Sequence, residues 1–372
     1  MRRALAAWIL GLAAAGAQAA ILTVAPGQGL AQALSKAVDG DVVEIAAGEY
    51  RGEVGTIWQK RLTLRGVGGR PVLHAEGRSA QGKAILVIID GDIRIENVEF
   101  RGARVGDRNG AGIRFEKGRL LVKSCAFIDN ENGILTANDI NAELTVEDSE
   151  FSQAPADTPL PHLLYVGHIG RVTVSGSRFS GGREGHLIKS RARESVVRYN
   201  RLVDGAGGQA AYELDFPNGG LVWVVGNVIG QSATTTNPAI VSFGAEGYNE
   251  HEQGLYFAHN TVINDAARPA AFVRVAAGRA VARRLVNNLF IGAGDTGGAE
   301  AALGNFTAPR SALRDPDAGA YGLAPGSALR GRGVAAGSGH DVSLQPNAEF
   351  AAPAGTRPLA APARWSPGAV QN

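Results

Sequence analysis

The 372-residue chain carries 37 Lys and Arg against 35 Asp and Glu, a formal charge of +2. A general nucleic-acid binder needs a broad basic surface, which this balance excludes. The single cysteine, Cys125, excludes an intramolecular disulfide framework, and the 51 glycines, about twice the usual share, point to many turns and small-residue packing.

Residues 1–20 are expected to be a secretory signal peptide. Arg2 and Arg3 precede the apolar run ALAAWILGLAAAG, which ends in Ala17-Gln18-Ala19. Its removal leaves 35 basic against 35 acidic residues, so any positive charge that matters is local. No later stretch reaches about 18 apolar residues, so no membrane span is expected. The protein is expected to be exported, to the periplasm or beyond.

Next comes LAQALSKAV (30–38), with Leu30, Leu34 and Val38 on one helical stripe. It reads as an N-terminal cap over the open edge of the strands downstream. From Ile93 onward one pattern recurs: IRIENVEF, LVKSCAF, LTVEDSEF, VTVSGSRF, VVRYNRLV, VVGNVI, YFAHNTVI and LVNNLFI. Each is a β-branched run, a turn-forming residue and another apolar pair. The turn position is read as Asn97, Ser124, Asp148, Gly176, Asn200, Asn227, Asn260 and Asn288, at intervals of 27, 24, 28, 24, 27, 33 and 28. Asn suits such a turn because it tolerates left-handed backbone, and stacked amides can bond along an axis. Short strands with no helix between them, at a period near 27, predict an all-β solenoid of coils stacked roughly 4.8 Å apart.

Upstream of each turn lies a second series of strands: GIRFE (112–116), GILTA (133–137), HLLYV (162–166), HLIKS (186–190), YELDF (212–216), AIVSF (239–243) and AFVRV (271–275). Side chains alternate between faces. A charge inside a narrow apolar coil is costly unless paired. Leu164, Ile188 and Leu214 are therefore expected to point inward, and Tyr165, Lys189 and Asp215 outward. The last three are separated by 24 and 26 residues, one coil each, so they are expected to stack side by side on an outer face. Glu213, two residues before Asp215, is expected on that face too. Arg191 and Arg193 extend the patch into the following loop, and His168 holds the matching place one coil earlier. His162 and His186 begin their strands, where they are open to either a corner role or a place in the groove. The loop GAEGYNEHEQG (244–254), with Glu246 and Tyr248, accounts for the 33-residue interval and reads as a groove wall.

The turn ladder and coil length resemble the right-handed parallel β-helices of the pectate-lyase-like superfamily. GDVVEIAAGEYRGEV (40–54) with RLTLRGVGGRPVLHAEG (61–77) is similar to their first coils, and DPDAGAYGLAPGSALRGRG (315–333) to their closing segment. The resemblance spans roughly residues 22–335. It implies a single-stranded right-handed parallel β-helix over 21–335, with an irregular C-terminal tail over 336–372. It also implies a carbohydrate cleft along the strands and loops just described.

A local basic patch on a neutral chain suits an anionic polysaccharide, and the leading expectation is a lyase acting on a uronate polymer. Removing the C5 proton requires neutralising the adjacent carboxylate, a task for Arg191 or a bound Ca²⁺ held by Glu213 and Asp215. Lys189 is a candidate base if its neighbours lower its proton affinity, with His186 as its competitor. Tyr165 is a candidate donor to the departing oxygen. Asp215, Glu213, His162, His168, Arg193, Glu246 and Tyr248 are candidate binding residues. The cluster loosely resembles the Lys/Arg chemistry of chondroitinase B-like and alginate lyases, and also His-based epimerases. Glycoside hydrolysis through the Glu213–Asp215 pair, C5 epimerisation, and polysaccharide binding or export without catalysis are the alternatives.

Overall fold

The computed structural model describes residues 19–371. The expected signal peptide lies almost wholly outside them. Three long parallel sheets of 11, 11 and 10 strands run the length of the molecule, each coil giving one strand to each sheet. The chain passes through the first sheet (for example Glu194–Arg198), the second (Arg201–Val203) and the third (Tyr212–Phe216), then steps up one coil. This is the expected right-handed parallel β-helix. Among the described residues no helix is long and apolar enough to cross a membrane.

Inward residues of successive coils stack on like residues. In the second sheet Phe100, Phe127, Phe151 and Phe179 form a column with ring centroids 4.5–5.2 Å apart. These are the terminal Phe residues of the repeat motifs. The corner between the first and second sheets carries a hydrogen-bonded ladder. The Asn200 amide N–H donates to Asn227 Oδ1 (2.9 Å), that of Asn227 to Asn260 Oδ1 (3.0 Å), and that of Asn260 to Asn288 Oδ1 (3.0 Å). The ladder begins at Ser149 and Ser177 and ends at Asn305.

In the later coils the turn sits one residue earlier than expected. The left-handed residues are Asn97, Ser124, Asp148 and Gly176, but then Tyr199, Gly226, His259 and Asn287. The buried asparagines come just after the turn and serve as inward hydrogen-bonding groups, not as its left-handed residues. The N-terminal cap forms as an α-helix over Leu30–Lys36, burying Leu30 and Leu34 against the first coil. Val38 lies beyond its end and is exposed, because Ala37 is already extended and the Val38 N–H bonds Asp41 Oδ2.

The coils end at Phe306–Ala308, and the rest of the chain folds back along the outside. A hairpin of Leu313–Asp315 and Ala320–Leu323 packs on Val228, Ile263, Leu289 and Ile291 of the second sheet. The segment after 333 runs across the first sheet. Ala336 and Leu344 cover Trp223, Tyr256 and Val286, and the Trp223 indole donates to the Gly339 carbonyl (2.9 Å). Farther along, the Gly355 N–H reaches Gly176 O, and the chain then returns to Asn287. This covering clothes the later coils on two of the three outer faces. The third sheet carries the predicted charged row.

Candidate functional site

Strand pairing in the third sheet aligns Leu135, Tyr165, Lys189, Asp215, Ser242 and Arg274 as one lateral row. Leu164, Ile188 and Leu214 form the neighbouring row and face the core, as alternation requires. The pattern breaks one residue earlier. Leu187 and Ile188 both belong to the core, so two consecutive positions point inward. His162 and His186 thereby return to the outer side, beneath the charged row. Their rings lie 4.8 Å apart, with His162 edge-on to Tyr165 and His186 edge-on to Tyr212.

The same break corrects the position of Glu213. It lies between Leu187 and Ile240 in the inward row, 1 % exposed, and neither carboxylate oxygen has a hydrogen-bond partner. Burial in this apolar surround, reinforced by Asp204, pushes its carboxyl well above the usual range. Glu213 is therefore an inward acid of the coil, held towards its neutral form. It cannot touch a ligand in the groove, pair with Asp215 for hydrolysis, or share a Ca²⁺ with it.

On the outer face Tyr165, Lys189, Arg191 and Glu246 converge above Asp215. Lys189 Nζ donates to Glu246 Oε1 (2.9 Å) and lies 4.0 Å from Asp215 Oδ2. Arg191 Nη2 donates to Glu246 Oε2 (2.6 Å), its Nη1 to Asn218 Oδ1 (2.5 Å), and its Nε to the Tyr165 phenol oxygen (3.2 Å). Both cations lie close to the Tyr165 ring, at 5.5 and 5.9 Å. Burial disfavours charge on both Arg191 and Glu246, but their mutual bonds outweigh it. The guanidinium is more basic than usual, with Tyr165 helping, and the Glu246 carboxyl is more acidic, with Lys189 helping.

Beneath this pair sits Asp215, its side chain 3 % exposed. Burial raises its carboxyl to about 6, against the pull of Lys189. His186 Nδ1 is 3.3 Å from Asp215 Oδ2 but not aligned for a hydrogen bond. Burial, then His162, Lys189 and Arg191, drives His186 down to about 2. The imidazole is held towards its neutral form beneath the two cations. His162 is lowered to about 3, first by burial, and its Nδ1 accepts the His186 backbone N–H (3.0 Å). That bond makes it a floor residue with a fixed tautomer.

Other expected residues fall outside the convergence. The Tyr248 hydroxyl donates to the Ala276 carbonyl (2.5 Å) and its ring packs near Phe243, so it anchors the 244–254 loop instead of meeting a ligand. Arg193 turns to Glu194 (3.8 Å) at the edge of the first sheet. His168 is exposed at the rim, and partial burial with the charge of Arg191 lowers its proton affinity. Asn218 and Ser242 belong to the site but escape the sequence reading. Ser242 lies 27 residues after Asp215, a spacing that would have found it. Beyond Tyr165 the trough continues as a hollow of about 340 Å³ lined by Asp107, Asn109, Arg114, Thr136 and Asn138.

The oxygen donors do not suit Ca²⁺. The carboxylates of the convergence, Asp215 and Glu246, both face Lys189, whose ammonium stands where a divalent ion would sit.

The pectate lyase Pel9A matches over 96 % of this chain and 97 % of its own, with a TM-score of 0.62 and 14 % identity. The fold is that of the pectate-lyase-like β-helices. A variant of the PL6 family alginate lyase AlyGC matches 64 % of the chain and 40 % of its own, at 17 % identity and a TM-score of 0.39. No protein-family model matches, and a comparison with curated proteins returns no match. For this pectate-lyase-like helix the likeness concerns architecture alone, and its chemistry has to be read from its own third sheet.

Proposed function

We propose that the protein is an exported lyase that cleaves an anionic, uronate-containing polysaccharide by β-elimination along the third sheet. The observation that carries this is the meeting of Lys189 and Arg191 on one carboxylate of the outer face, with the Tyr165 phenol held against Arg191. Arg191, backed by Asn218, holds the acid group of the sugar and stabilises the charge that builds on it when C5 loses its proton. Lys189 is the base. It acts in its neutral form, and Asp215 Oδ2, 4.0 Å away on a carboxyl that burial raises to about 6, is the group placed to hold its proton. The Tyr165 oxygen accepts from Arg191, which leaves its O–H to protonate the departing glycosidic oxygen. The C5–H and C4–O bonds break, a C4=C5 double bond forms, and the proton lost by Tyr165 is restored from Lys189.

The test is ultraviolet absorbance on a panel of uronate polymers. An unsaturated uronide absorbs, whereas hydrolysis yields reducing ends without absorbance and epimerisation shows only as proton exchange at C5. Lys189→Met is expected to lose at least about 100-fold in rate, the scale of one general base, with an unchanged melting curve. Full activity in Lys189→Met, or no absorbance on any uronate, rejects the proposal.

A further inference from the structure

Glu246 occupies an unusual position. It projects from the 244–254 loop between two left-handed glycines, Gly244 and Gly247. One of its oxygens takes Lys189 and the other Arg191. Its side chain remains 47 % exposed, whereas those of the two cations are 10 % and 15 % exposed. A cationic pair in the floor is thus capped by a half-exposed carboxylate from the loop. The loop is pinned on either side of that carboxylate, by the Glu246 N–H on Pro217 O and by the Tyr248 hydroxyl on Ala276 O. A change of Glu246 side-chain rotamer therefore opens the receptor without unfolding the loop.

We propose that Glu246 stands in for the acid group of the substrate, so that only a sugar with a free, un-esterified carboxylate can evict it and release Lys189. This rests on the lyase reading above and narrows its substrate class. A neutral or esterified unit offers nothing to replace the two charge-assisted bonds that it must break. A carboxylate exchanges one ion pair for an equivalent one and leaves Lys189 free of Glu246. The internal carboxylate also weakens observed binding, because the receptor is open only part of the time.

The test is calorimetric titration of wild type and Glu246→Gln with a short oligouronate in its free-acid and methyl-ester forms. Melting curves confirm that both proteins are folded. Glu246→Gln is expected to bind the free acid about tenfold more tightly, the effect of a receptor closed about nine-tenths of the time. Wild type is expected to bind the acid but not the ester. Binding of the acid that is unchanged or weaker in Glu246→Gln overturns this proposal and leaves the lyase reading standing. Equal binding of acid and ester by wild type does the same. Failure of both proteins to bind any uronate overturns both.

Discussion

Glu213 and Asp215 are two residues apart on one strand and live in different media. Asp215 meets Lys189 and the groove, while Glu213 meets Leu187, Ile240 and the core. Both carboxyls bind protons more tightly than in an unfolded chain, so each contributes a stability penalty that is absent below the unfolded pKa and grows as pH rises through the folded one. Glu213→Gln removes the deeper penalty without touching the groove. Its melting temperature is expected to exceed that of wild type, by a margin that widens as pH rises above the ordinary carboxylate range. A margin that narrows instead would mean that the acid is not buried neutral. At Asp215 the consequence, on the lyase reading proposed above, is catalytic. Loss of its charge below about 6 removes the acceptor for the Lys189 proton. Wild-type activity is expected to show an acid limb there, and Asp215→Asn is expected to be slow and to lack that limb.

At the scale of elements, period and facing were readable because parallel strands stack like on like. Tyr165, Lys189 and Asp215 could be aligned from spacing alone, and the pairing places them in one row. Two features were not readable. The inward pair Leu187–Ile188 breaks strict alternation, which moves Glu213 inside and His186 out. The turn residue and the ladder residue are neighbours that both accept Asn or Ser, so an alignment by residue type slips by one between Gly176 and Tyr199. The ladder carries its own prediction. The Asn227 amide donates to Val197 O and Asn260 Oδ1, and its oxygen accepts from the Asn200 backbone and side chain. Asn227→Ala orphans several buried groups and is expected to cost about 3 kcal/mol in chemical denaturation. Exposed Asn109→Ala is expected to cost less than about 0.5 kcal/mol.

Across the whole molecule the C-terminal segment is the part least legible beforehand. The strand LVWVV (221–225) is buried on both faces, a sign that something covers it, but nothing local names the cover. The cover comes from more than a hundred residues downstream, where Gly339 meets the Trp223 indole. Removing residues 336–372 exposes Trp223, Tyr256 and Val286. The shortened protein is expected to melt at lower temperature and to bind a hydrophobic dye. Below its new melting point it is expected to keep its activity per folded molecule, since the charged row lies on a different sheet. Loss of activity without loss of fold would tie the tail to the groove.

The coil that carries the 244–254 loop spans 33 residues between ladder asparagines, and the one before it 27, yet each advances the stack by a single strand. Pitch is dictated by backbone pairing, whereas contour length is free at the corners. Foreign segments grafted at that corner should thus reshape the wall of the trough, while the amine and phenol below stay in register.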